Sequence, residues 1–106
     1  MPKLTVIYWR DIPAQVIGQQ GRKRTRKELP KRFAVAIDRA AMRAGKGSSK
    51  AYLEEWRRES RLIDGNVEEA VEAEVALLDS RFPDDVLEAV TKAAGVVKTD
   101  TQEQNK

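Results

Sequence analysis

The stretch Arg22 to Arg32 places seven basic side chains in eleven residues, and this divides the chain. Lysine and arginine at such density do not enter an apolar core unpaired. The run itself must lie in water or against acidic groups. Arg22, Arg24 and Arg26 alternate with Lys23, Thr25 and Lys27. That alternation fits an extended ribbon, and a loop fits it equally.

Before the run, Leu4, Val6 and Tyr8 alternate with Lys3, Thr5, Ile7 and Trp9. The pattern suits a strand covered on both sides, or mainly on its Leu4/Val6/Tyr8 face. Asp11 favours a turn, and Pro13 biases Ile12 away from helix. Residues 14 to 19 read as a second strand, so the default is a hairpin. Gly18 and Gly21 suggest a bulge or bend where that strand ends.

After the run, Pro30 opens a helix with Phe33, Ile37, Ala40, Ala41 and Ala44 on one stripe and Gly45 as its stop. Lys46-Gly47-Ser48-Ser49 reads as a loop. Residues 50 to 58 admit two readings. As a helix, Ser48 or Ser49 would cap it and Tyr52 would sit above Trp56. As a strand, Tyr52, Glu54, Trp56 and Arg58 would share a face, and the preference is for this strand, completing the hairpin. Asp64-Gly65-Asn66 is a turn and cap before a helix from Val67 to Arg81, whose apolar stripe is interrupted by Glu74. Phe82-Pro83 ends it. A last helix carries Val86, Leu87, Val90 and Ala94 inward and stops at Gly95. The expected fold class is α+β: a small antiparallel sheet, hairpin plus third strand, with three helices packed on one face. Residues 3 to 97 form the single domain and 98 to 106 a disordered polar tail.

Composition narrows the chemistry. The chain has no cysteine and no histidine, which removes disulfides, thiolate zinc sites, cysteine nucleophiles and histidine-based triads. The apolar run at the amino terminus is too short for a signal peptide, and no run approaches the ~20 residues of a membrane span. The expected location is the cytoplasm. The net charge of +3 conceals a division. Residues 1 to 61 hold 16 basic against 6 acidic side chains, a balance of +10, while residues 62 to 106 hold 4 against 11, a balance of −7.

The basic run is the strongest functional signal, because clustered cations displace counterions from nucleic acid or meet an acidic partner. Its candidate contact residues are Arg22, Lys23, Arg24, Arg26, Lys27 and Arg32, with Lys31 added for a nucleic-acid surface. Tryptophan stands beside arginine in Trp9-Arg10 and again in Trp56-Arg57-Arg58, and each set could clamp an anion or carboxylate. Packing in the core is the competing account of both tryptophans. Glu68, Glu69, Asp84 and Asp85 are explained by helix starts rather than by metal or catalysis. Neither a calcium-loop pattern nor an ordered phosphate loop is present.

Leu4-Thr5-Val6-Ile7-Tyr8-Trp9-Arg10-Asp11-Ile12-Pro13-Ala14-Gln15-Val16 resembles the opening of a small bacterial family known as the virulence factor domain. Gly21-Arg22-Lys23, Leu29-Pro30-Lys31-Arg32-Phe33, the segment from Ala36 to Gly45, and Tyr52-Leu53-Glu54-Glu55-Trp56-Arg57-Arg58 extend the resemblance to about residues 3 to 93. The resemblance implies an accessory role, alone or joined to other modules, and carries over no catalytic or ligand residues. It leaves open a link to one-carbon or methyl-transfer metabolism. The expected function is thus a non-enzymatic interaction domain, without cofactor or metal, that binds a protein or another anionic partner through a basic surface. Nucleic-acid binding through residues 22 to 32 is one alternative, and an enzyme or cofactor-handling domain using Arg10, Asp11 and neighbouring carboxylates is another.

Overall fold

The computed structural model describes residues 2–45 and 49–96. The expected tail over 98–106 and most of the loop from Lys46 lie outside these residues, as does the proposed cap at Ser48. Strand β1 (Lys3–Trp9) and strand β2 (Ile12–Gln20) form the antiparallel hairpin, joined through Arg10 and Asp11. The second strand starts earlier than expected, because Pro13 lies within it. Ile7 pairs with Gln15 but Tyr8 pairs with Pro13, which leaves Ala14 as a bulge. A bulge is where a strand tolerates a residue that cannot donate to the ladder. The bulge falls there and not at Gly18 or Gly21. Gly21, at φ 60°, turns the chain into the next strand.

That next strand is the basic run. Strand β3 (Lys23–Glu28) pairs antiparallel with β2, Gly18 opposite Thr25 and Ile17 opposite Arg26. The ribbon reading of the run holds, not the loop. Residues 50–58 contain both elements that their sequence admitted. Helix α2 (Ser49–Glu54) holds Tyr52 and Glu54, and strand β4 (Trp56–Leu62) follows directly. Tyr52 and Glu54 therefore do not share a strand face with Trp56 and Arg58. β4 pairs with β1, which gives a four-stranded antiparallel sheet in the order β3-β2-β1-β4.

Helix α1 (Lys31–Arg43) begins after Pro30 and buries Phe33, Ala36, Ile37, Ala40 and Ala41. Helix α3 (Val67–Arg81) is capped by the Asn66 side chain, which accepts from the Glu69 amide at 2.9 Å. It buries Val67, Val71, Val75 and Leu78. Glu74, which interrupts that stripe, is also buried, and Arg61 of β4 meets its carboxylate at 2.9 Å. Helix α4 (Asp84–Lys92) packs on α1.

The fold is α+β, with four strands where the sequence suggested three. Helix α3 lies across β1, β2 and β3 on the side of Leu4, Val6, Val16 and Gly18. Gly18 permits this: a Cβ there would stand 2.5 Å from a Val67 methyl and 2.8 Å from a Val71 methyl. At the end of the sheet, Trp9 and Ile12 are fully enclosed. They belong to one core with Val16, Phe33, Ile37, Leu78, Leu87 and Val90.

Candidate functional site

Strand alternation and the pairing register sort the sheet's side chains into two sets. Because Gly18 faces α3, so do its partners Leu4 and Thr25, and so do Lys23, Lys27 and Arg61. The glutamates of α3 meet those cations: Glu68 lies 3.3 Å from Lys23, Glu72 2.5 Å from Lys27 and Glu74 2.9 Å from Arg61. On this side the acidic half of the chain neutralises the basic half.

The other side differs. Three of its rows run Arg24–Gln19–Lys3–Leu62, Arg26–Ile17–Thr5–Ser60 and Glu28–Gln15–Ile7–Arg58, and a fourth, Ile12–Trp9–Trp56, is largely enclosed at the end of the sheet. Thr5 and Ser60 share a hydrogen bond of 2.8 Å across β1 and β4. Ile7, Ile17 and Thr5 occupy the centre and are nearly buried. Lys3, Arg24, Arg26, Arg58, Gln19, Ser60 and Leu62 are exposed around them. Among the described residues, Lys3, Arg24, Arg26 and Arg58 have no ion pair. Four cations and one carboxylate, Glu28, thus surround a small aliphatic centre.

The eleven residues singled out from the sequence divide accordingly. Arg24, Arg26 and Arg58 share the uncovered face, and Arg22 is exposed beside it in the β2–β3 connection. Lys23 and Lys27 are engaged with α3. Arg32 is held by the Phe82 carbonyl oxygen at 2.6 Å and by the Asp79 carboxylate, with its guanidinium 4.5 Å above the Phe33 ring. It fastens α1 to the end of α3. Trp9 presents no surface. It is fully buried, stacks on Tyr52 at 5.9 Å and donates its indole N–H to the Tyr52 carbonyl oxygen at 2.9 Å.

Arg10 takes φ 54° and is tied to Glu55 at 3.2 Å and to the Ala94 carbonyl oxygen at 3.0 Å. Its charge serves the joint between the hairpin, α2 and the segment after α4. Arg57 covers the Tyr8 ring at 4.5 Å and pairs with Asp11 and Glu59, each at 3.3 Å. Burial, with Glu59 and Glu74 adding to it, holds the Tyr8 hydroxyl above the ordinary tyrosine value. Trp56 is half-buried and meets the Tyr52 ring edge-on at 5.7 Å. Lys3, Ile7 and Ile17 were not singled out by sequence. Only the pairing register places them with Arg24, Arg26 and Arg58.

Among the described residues, no three acidic groups converge to hold a metal ion. Among the same residues, no helix is long and apolar enough to cross a membrane. The model of the family described as Virulence factor matches residues 7–91, from the middle of β1 to the last turn of α4. The chain belongs to the Virulence factor family. The matched span includes most of β1 and all of β2, β3 and β4, so the uncovered sheet face lies largely within the Virulence factor domain. No curated protein and no solved structure matches the chain.

Proposed function

We propose that this domain is a non-enzymatic accessory module, cytoplasmic in location, that docks an acidic segment of a partner protein on the uncovered face of its sheet. One observation carries the reading. On the α3 side Lys23, Lys27 and Arg61 are paired with glutamates of α3 and Arg57 with Asp11 and Glu59, whereas Arg24, Arg26, Arg58 and Lys3 point the other way and have no ion pair among the described residues. Unpaired cations on one face attract and orient an acidic surface. The aliphatic centre formed by Ile7 and Ile17 would add apolar contact once their long-chain neighbours move aside. Nucleic acid is the less favoured occupant, because single-strand sites add aromatic stacking platforms to their basic groove and the centre of this face is aliphatic.

The test uses a fluorescent oligoglutamate peptide and an unstructured RNA of equal charge. The reading expects the peptide to bind at low salt and to weaken as salt rises. Arg24→Glu together with Arg26→Glu should weaken it by about tenfold or more, near 1.4 kcal/mol, with an unchanged circular dichroism spectrum. Peptide binding that ignores the double variant removes the proposal. Tighter binding of the RNA, lost in the same variant, replaces the protein partner with nucleic acid.

A further inference from the structure

Where the uncovered face meets the start of α1, the molecule has a second feature, independent of the four cations. Gln15 of β2, Glu28 of β3, Lys31 and Asp38 of α1, Tyr52 of α2 and Trp56 of β4 are among the residues lining a cleft of about 360 Å³. This lies within the size range of sites that hold small ligands or single anchoring side chains. Two of its walls are aromatic, the Tyr52 and Trp56 rings meeting edge-on. Among the described residues, Glu28, Asp38 and Lys31 have no ion pair, and all three are exposed. The local balance is two carboxylates against one ammonium.

Gln15 adds a third acceptor. Its side-chain oxygen is sealed from solvent and has no hydrogen-bond partner. A buried acceptor without a donor costs stability. No hydrogen bond among the described residues holds that oxygen, so a donor entering the cleft could engage it by rotation of the amide without breaking a hydrogen bond at that oxygen. The Asp38 charge is felt inside the cleft. Together with burial, the larger cause, it holds the Tyr52 hydroxyl above the ordinary tyrosine value, so the ring stays neutral.

We propose that this cleft binds a guanidinium group. Three features select it. The excess of carboxylate favours a cation. The aromatic walls favour a flat cation that can lie against a ring. Several acceptors spread around the cleft favour a fork of N–H donors over the single point of an ammonium. The group could arrive on a free small molecule or on an arginine side chain of a peptide, and the recognition chemistry is the same.

The experiment follows amide, Gln15 side-chain and Trp56 indole resonances of ¹⁵N-labelled protein. Agmatine, the capped tripeptide acetyl-Gly-Arg-Gly-amide and n-pentylamine are titrated separately. Saturable shifts at Gln15 and Trp56 with agmatine or the tripeptide, and clearly weaker binding of the amine, support the site. Agmatine binding as tightly as the tripeptide points to a free ligand, and a preference for the tripeptide points to a protein side chain. Asp38→Asn with Glu28→Gln should weaken binding about tenfold with the spectrum otherwise native, since both positions are exposed. No saturation of either guanidinium probe, equal binding of the amine, or full binding by the double variant would each overturn the proposal.

Discussion

At the scale of single residues, two backbone positions carry consequences that can be measured. Gly18 lies beneath α3 with valine methyl groups 2.5 and 2.8 Å from where a Cβ would stand. Gly18→Ala forces α3 off the sheet or the valines out of their rotamers. It should lower stability by about 1–3 kcal/mol, read as a lower urea midpoint. Arg10 adopts left-handed backbone with a full side chain, a conformation that costs about 1–2 kcal/mol without glycine. Arg10→Gly and Arg10→Ala both lose the bridges to Glu55 and Ala94, but only glycine relieves the backbone. The glycine variant should therefore be the more stable by about 1 kcal/mol.

Tyr8 gives a pH dependence. Its neutral form is favoured in the fold, so the unfolded chain releases that proton first, near pH 10. Stability is then intact below that value and falls as pH rises from 10 towards the raised folded value. Tyr8→Phe should flatten this alkaline decline in denaturation midpoints measured between pH 9 and about 11.

At the scale of elements, what could be read from the sequence depended on whether a face is apolar. The hairpin and the three long helices announce themselves through periodic apolar residues, from Leu4, Val6 and Tyr8 to Leu87 and Val90. β3 was indistinct because neither of its faces is apolar. Lys23 and Lys27 meet glutamates while Arg24 and Arg26 meet water, and hydropathy records both as polar. Residues 50–58 resisted a single assignment because they hold two elements, Tyr52 fitting the helix and Trp56 the strand. Glu74 broke the α3 stripe in sequence yet lies inside it in space, because Arg61 from another element answers its charge. Which cations remain vacant was also hidden, since that follows from register and not from composition. The α3 start can be tested directly. Asn66→Ala removes the cap on the Glu69 amide and should cost about 1 kcal/mol in thermal or chemical unfolding.

At the scale of the whole molecule, the charge division of the sequence is half consumed by folding. Helix α3 brings Glu68, Glu72 and Glu74 to Lys23, Lys27 and Arg61, and the reverse side of the same strands is left cationic. Exposed pairs such as Lys23–Glu68 and Lys27–Glu72 contribute less than about 1 kcal/mol each. Glu68→Gln with Glu72→Gln should accordingly leave the melting temperature nearly unchanged. It should also strengthen oligoglutamate binding several-fold, because two more lysines become free. Fluorescence anisotropy at fixed low salt reads this, and an unchanged affinity would show that the α3 side contributes nothing to attraction.

The position of β3 at the margin of the sheet has one more effect. A bare strand margin is a template on which another copy of the chain could zip. In a β3-to-β3 pairing, basic side chains would stand against basic side chains, so like charge should oppose it. Masking that charge should relax the restraint, and light scattering should then register larger species as polyanion or salt is added. A scattering signal that stays flat under both conditions would show that something other than repulsion protects the margin.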